Sequence, residues 1–176
     1  MYSIGDKVFK KYVSKEELHT IVSRLADNIN KDYKDKEVLF IVVLNGAFIF
    51  ASDLLREISV SCQISFVKVS TYQGEHSTGE FKELIGLNED IRGKHIIVVE
   101  DIVESGFTLQ NIREQLLRQE PASMEIATLM FKPQKFKYEY PVKYVGMSIE
   151  DPFILGYGLD IDGYCRNLPE IYQIIK

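Results

Sequence analysis

His95-Ile-Ile-Val-Val-Glu100-Asp101-Ile-Val-Glu104-Ser105-Gly106-Phe107-Thr108-Leu109 is the stretch that decides the fold. Its β-branched run, Ile96 to Val99, has the composition of a strand buried on both faces. Two adjacent carboxylates close that strand, Glu100 to Gly106 reads as a loop, and Leu109, Ile112, Leu116 and Leu117 mark the helix that follows. Exposed N–H groups at a helix start, with Ser and Thr hydroxyls beside them, make a phosphate cradle. Gly106 allows a close backbone approach that a side chain would block. Glu100 and Asp101 can accept hydrogen bonds from sugar hydroxyls, directly or through hydrated Mg²⁺. The plainer alternatives are a solvated strand end for the two acids and a simple helix cap for Ser105.

On either side of this stretch, strands and helices alternate. Ser14-Lys15-Glu16-Glu17 is a capping-box pattern, and it opens a helix with Leu18, Ile21, Val22, Leu25 and Ile29 at helical spacing. Val38 to Leu44 predicts a second doubly buried strand, Asn45-Gly46 ends it, and Ala47 to Ile58 predicts a helix. Ile64 to Thr71 reads as a strand running into a polar stretch, 72–79, that suits a loop. Met124 to Phe131 and Tyr144 to Ile149 read as strands, and short strands and turns follow Pro152. The alternation predicts an α/β fold with a mostly parallel central sheet flanked by helices. Ligand sites in such sheets lie at the carboxyl ends of the strands.

Composition narrows the function. Of 176 residues, 45% are hydrophobic and 27% charged, the balance of a globular chain rather than a disordered one. With 21 basic and 26 acidic residues the net charge is −5, which argues against a non-specific nucleic-acid binder. Cys62 and Cys165 are too few for a disulfide framework and read as small buried residues. No targeting signal is evident, and no apolar run approaches the roughly 20 residues needed to span a membrane. The expected setting is therefore soluble and cytoplasmic, without a membrane partner. A G-x-x-x-x-G-K-[ST] loop is absent, and Gly156-Tyr157-Gly158 lacks the third glycine of a dinucleotide fingerprint.

Val98 to Leu109 resembles the phosphoribosyl-pyrophosphate motif of the type I phosphoribosyltransferases. Within them the chain is similar to the hypoxanthine-guanine phosphoribosyltransferases. The resemblance covers nearly the whole length in order: Leu44-Asn-Gly-Ala-Phe48, Thr71-Tyr72, the central motif, Lys132, and Phe153-Ile-Leu-Gly-Tyr-Gly-Leu-Asp160 with Tyr164-Cys-Arg166. It implies one domain over 1–176, with a small hood built from the N-terminal segment and the part after about 150. The implied reaction carries ribose 5-phosphate from phosphoribosyl pyrophosphate onto a 6-oxopurine, yielding IMP or GMP. Mg²⁺ is the implied cofactor, and a homodimer or homotetramer the implied assembly.

The resemblance also implies residue roles. Glu100 and Asp101 would hold ribose, and Ser105, Gly106, Phe107 and Thr108 the 5-phosphate. Asn45 and Gly46 would form the pyrophosphate loop, with a cis peptide between Leu44 and Asn45, while Thr71 and Tyr72 would lie in a lid. Arg166 would clamp pyrophosphate, and Asp160, with Glu100 and Asp101, would meet the metal. Lys132 would donate to the purine O6, Phe153 would stack on the ring, and the Ile154 backbone would meet its edge. Read as isolated residues, Lys132 would be solvated, Phe153 would be core, and Asp160 and Arg166 would pair with each other.

Two positions depart from the family pattern. Glu104 stands where relatives usually carry Asp, the group placed near the purine N7, and Asn45 stands where many relatives carry a basic residue. Glu keeps the carboxylate but adds a methylene and a rotamer. That substitution motivates an alternative reading, a phosphoribosyl-pyrophosphate-binding regulator with weak or no transferase activity. A transferase for a pyrimidine is a third reading, disfavoured by Lys132 with Phe153.

Overall fold

Ser14 opens the first helix as its capping box predicts: its hydroxyl accepts from the Glu17 N–H, and the Glu17 carboxylate accepts from the Ser14 N–H. The computed structural model describes residues 1–71, 81–87 and 89–175. Along the chain come β1 (Tyr2–Ile4), β2 (Lys7–Val13), α1 (Lys15–Asp32), β3 (Val38–Leu44), α2 (Phe48–Arg56), β4 (Cys62–Thr71) and β5 (Phe81–Ile85). Then follow β6 (His95–Val103), α3 (Phe107–Leu117), β7 (Ser123–Phe131), β8 (Tyr144–Ser148), β9 (Ile154–Leu155) and β10 (Ile171–Ile174).

The larger sheet has the order β5-β4-β3-β6-β7-β8. Its last five strands in that order pair in parallel, and β5 runs antiparallel along β4. A smaller antiparallel sheet, β1-β2-β10-β9, joins the two ends of the chain. Among the described residues no helix is long and apolar enough to cross a membrane.

The apolar run in β3 is explained by its two packed faces. Val38, Phe40 and Val42 join a cluster with Leu18, Val22 and Leu25 of α1 and Phe50 and Leu54 of α2. Leu39, Ile41 and Val43 join the opposite cluster with Leu109, Ile112 and Leu116 of α3. A third cluster, Phe9 with Leu155, Ile161 and Cys165, belongs to the smaller sheet.

Pairing corrects the expected end of β6. A loop was expected from Glu100, but the strand runs on to Val103, because Glu100, Ile102 and Val103 remain paired with Thr128, Met130 and Phe131 of β7. The two carboxylates therefore sit within the ladder. Ser105 does not serve as the helix cap either. Gly106 occupies that position with φ +80°, and the Ser105 hydroxyl accepts only a long bond, 3.4 Å, from the Phe107 N–H.

Phe40 is wholly buried at the centre of the larger sheet. Phe40→Ala is expected to lower stability by about 3–5 kcal/mol, read as a shift in the urea midpoint. Phe40→Leu should lower it by only about 1 kcal/mol.

Candidate active site

Period-two alternation along β6 sends neighbouring acids to opposite faces. Glu100 lines a concavity of about 150 Å³ together with Ile102 to Leu109. Its floor is the turn that enters α3, whose first residues, Phe107 and Thr108, present the helix N-terminus. Gly106 is required there twice over: its φ is left-handed, and a Cβ would collide with the Phe136 and Tyr138 rings. Those rings belong to the connection after β7, which also reaches the turn through the Lys137 N–H to Ser105 carbonyl bond of 3.2 Å.

Asp101 lies on the other face, against Gly46. A Cβ on Gly46 would overlap the Asp101 carboxylate, so the 44–46 turn and β6 are in intimate contact. The Leu44–Asn45 peptide is cis, as the resemblance implies. Gly158, at φ +102°, lies so close to the Gly46 carbonyl that a Cβ would strike it. The Gly158 carbonyl accepts from Arg166 Nη1 at 2.7 Å, and Arg166 Nη2 pairs with Asp160 Oδ1 at 2.7 Å. Asp160 Oδ2 accepts from the Gly163 N–H at 2.7 Å. Asn45, Gly46, Asp101, Asp160 and Arg166 thus converge, and the isolated-residue reading of Asp160 with Arg166 as an ion pair also holds.

A second cavity, about 400 Å³, is lined by Ile102, Glu104, Lys132, Lys135, Asp151, Pro152, Phe153, Ile154 and Leu159. Lys132 is buried rather than solvated, and Phe153 is 46% exposed rather than core. The Phe153 ring lies 6.3 Å from that of Phe9, with Lys7 Nζ 5.9 Å from its centroid. Ile154 is buried in β9. Lys132 Nζ donates to Glu104 Oε1 at 2.5 Å and to Asp151 Oδ1 at 2.9 Å. Burial pushes the Lys132 ammonium down, but hydrogen bonds to Glu104 and Asp151 outweigh it and leave it above its ordinary value. Of the residues expected in the lid, Thr71 is the last of β4, and Tyr72 lies outside the described residues.

Lys135 and Asp151 escaped the sequence reading. Acid residues beside a proline, Glu150-Asp151-Pro152, carry no local sign that one of them faces a lysine 19 positions earlier. Among the described residues, no group of three or more His, Cys, Asp or Glu side chains is placed to hold a metal by itself.

Comparison with known proteins shows the family. The phosphoribosyl transferase domain family matches residues 11–162. The hypoxanthine phosphoribosyltransferase of Escherichia coli strain K12 is 39% identical over 166 residues, 93% of each chain. The chain belongs to the hypoxanthine-guanine phosphoribosyltransferase family. Another relative, the hypoxanthine-guanine phosphoribosyltransferase of Staphylococcus epidermidis, is 40% identical over 160 residues, 90% of this chain and 89% of that one. A solved hypoxanthine-guanine phosphoribosyltransferase from Bacillus anthracis, with HEPES in its active site, superposes with a TM-score of 0.89. It is 36% identical and covers 97% of this chain and 99% of its own. The hypoxanthine phosphoribosyltransferase of Trypanosoma cruzi in a ternary substrates complex (K68R mutant, in that protein's own numbering) gives a TM-score of 0.88 at 30% identity, covering 99% of this chain and 97% of its own.

The two β6 acids are strained electrostatically. Burial pushes the Glu100 carboxyl well above the usual carboxylate range, and the Asp101 charge adds to it. Burial lifts Asp101 to about 6 from its ordinary 3.8, opposed by backbone N–H bonds, one from Ile102 at 2.8 Å. A raised carboxyl favours the protonated fold, so its stabilising contribution is present at low pH and is lost as pH climbs through the folded value. Asp101→Asn should therefore raise the Tm of the ligand-free protein at pH 7 by about 5 °C. The gain should shrink as pH falls through 6 and vanish below about 4, which melting curves across that range would check.

Proposed function

We propose that this enzyme of purine salvage transfers ribose 5-phosphate from phosphoribosyl pyrophosphate to a ring nitrogen of hypoxanthine or guanine. Pyrophosphate leaves, and IMP or GMP is the product. One observation carries the reading: Ile102 and Glu104 line both the small concavity at the helix start and the larger cavity holding the buried lysine. A phosphate held in the first and a flat base held in the second would meet at that shared wall. The sugar carbon that links them in the product would then lie beside Glu104.

In this reading Ser105, Gly106, Phe107 and Thr108 take the 5-phosphate through N–H groups and hydroxyls at a helix N-terminus, where anions are favoured. Glu100 and Asp101 accept the ribose hydroxyls. Asn45, Gly46 and Arg166 receive the pyrophosphate, a role that the resemblance extends to Thr71 and Tyr72. Lys132 donates to the purine O6, Phe153 stacks on the ring, and the Ile154 backbone meets its edge. Glu104 manages the proton at the ring nitrogen as bonding shifts.

Charge builds on a sugar that resembles an oxocarbenium ion, so orientation of the two reactants in line and support of the departing anion are the main tasks. Mg²⁺ fits the donor set, because this ion takes hard oxygens, commonly one or two carboxylates with substrate phosphates and water. Asp160, Glu100 and Asp101 supply such oxygens, and desolvation disfavours the charge on the two β6 acids, which a cation would offset. When bound, it would neutralise charge on the pyrophosphate. The small sheet, β1-β2-β10-β9, is proposed as the hood over the base, within a single domain. A homodimer or homotetramer in the cytoplasm completes the proposal and rests on the family resemblance.

Incubation with phosphoribosyl pyrophosphate, Mg²⁺ and each of hypoxanthine, guanine, xanthine, adenine and uracil tests the assignment by nucleotide chromatography. Hypoxanthine and guanine are expected to react. No nucleotide from any base would leave only the regulatory-binder reading. Glu104→Gln should lower turnover with hypoxanthine by about 10²–10⁴-fold, and unchanged turnover would remove Glu104 from its role.

A further inference from the structure

The Lys132 ammonium is a charge in a nearly closed place: its side chain is 5% exposed, while Glu104, Asp151 and Lys135 around it are about half exposed. Such a charge is tolerable only with partners of opposite sign, and the loss of one is far more costly than at the surface. Three groups face it or its partners. Glu104 comes from the turn after β6, Asp151 from the segment between β8 and β9, and Lys135 from the connection after β7.

These partners differ in what ties them down. Apart from its contact with Lys132, Glu104 belongs to the wall that would face the reacting carbon. In the proposed reaction its carboxylate also serves the purine ring nitrogen, and a swing toward the base would loosen its hold on Lys132. Asp151 is committed on both oxygens: Oδ1 accepts from Lys132 at 2.9 Å, and Oδ2 pairs with Lys135 at 2.5 Å. Hydrogen bonds from Lys135 first, then from Lys132, hold the Asp151 carboxyl below its ordinary value and keep it ionised. Asp151 also stands two residues before Phe153, on the segment that carries the aromatic face of the cavity.

We propose that Asp151, oriented by Lys135, is a positioning residue for purine recognition: it keeps Lys132 charged and fixed against the plane of Phe153 when Glu104 turns away toward the base. An ammonium has three N–H donors. Among the described residues two are engaged, by Glu104 and Asp151, and a purine carbonyl would take the third. After Glu104 departs, Asp151 is the remaining charged partner among the described residues that the structure places on Lys132. This deepens the reading of the cavity as the purine site and rests on it.

Steady-state kinetics on Asp151→Asn, which preserves shape and removes the charge, tests the proposal. The KM for hypoxanthine should rise about tenfold with the KM for phosphoribosyl pyrophosphate little changed, and the Tm should fall only in part, because Glu104 still pairs with Lys132 in the ligand-free protein. Asp151→Glu should recover part of the loss. Lys135→Ala should raise the same KM by a smaller factor and add nothing to Asp151→Asn, since the two act as one unit. An unchanged KM for hypoxanthine in Asp151→Asn would overturn the proposal. So would an equal rise in both KM values, or a fall in Tm that alone accounts for the change, because either marks a merely structural role. A wild-type protein inactive toward every base would instead overturn the purine-site reading itself.

Discussion

Adjacent residues of a strand face opposite ways, and at Glu100–Asp101 the active site is divided by that rule. β6 must be apolar enough from Ile96 to Val99 to be buried beneath helices on both sides. It then carries two acids while still paired to β7, which fixes both carboxylates in rigid backbone rather than in a loop. One acid is thereby aimed toward the α3 turn and the other toward Gly46. The surroundings follow from the second placement: Gly46 has no room for a side chain, and Gly158 has none beside the Gly46 carbonyl.

The electrostatic consequence is a site poised for partners. Burial disfavours the charge on both β6 acids, whereas the charges around the larger cavity are compensated by each other through Lys132, Glu104, Asp151 and Lys135. The end of β6 is thus under-compensated, and the larger cavity is self-compensated. Ligands bearing hydroxyls or cations would relieve the first, and in the proposed reading a purine would compete within the second. A site so arranged trades some stability of the empty fold for affinity.

Local chemistry made much of this legible. The capping box at Ser14 and the doubly apolar run of β3 each obey rules visible within a few residues, and both were readable. The end of β6 was not, because Glu100 and Asp101 look like loop residues, and only the neighbouring β7 keeps them in a strand. No local rule reads β2: Lys7, Lys10 and Lys11 interrupt its apolar residues, and its partner β10 lies at the far end of the chain, segments that only the family resemblance brings together. Lys132 is the clearest case in the site. Its burial depends on Asp151 and Lys135, and no spacing rule connects residues that meet only across cavity walls.

The connection after β7 has a consequence for how the protein can vary. The Lys132 N–H bonds to the Val103 carbonyl at 2.9 Å, the Lys135 N–H to the Lys132 carbonyl at 3.1 Å, and the Lys137 N–H to the Ser105 carbonyl at 3.2 Å. Six residues of backbone are thus stitched at both ends to the turn between β6 and α3. Backbone bonds of this kind are indifferent to side-chain identity but count residues strictly. Sequence drift can recolour Pro133, Gln134 and Lys137, provided that Lys132 and Lys135 keep their charges and Gly106 its aromatic cover. Its length is another matter: one residue gained or lost would throw Lys132 and the turn that enters α3 out of step together.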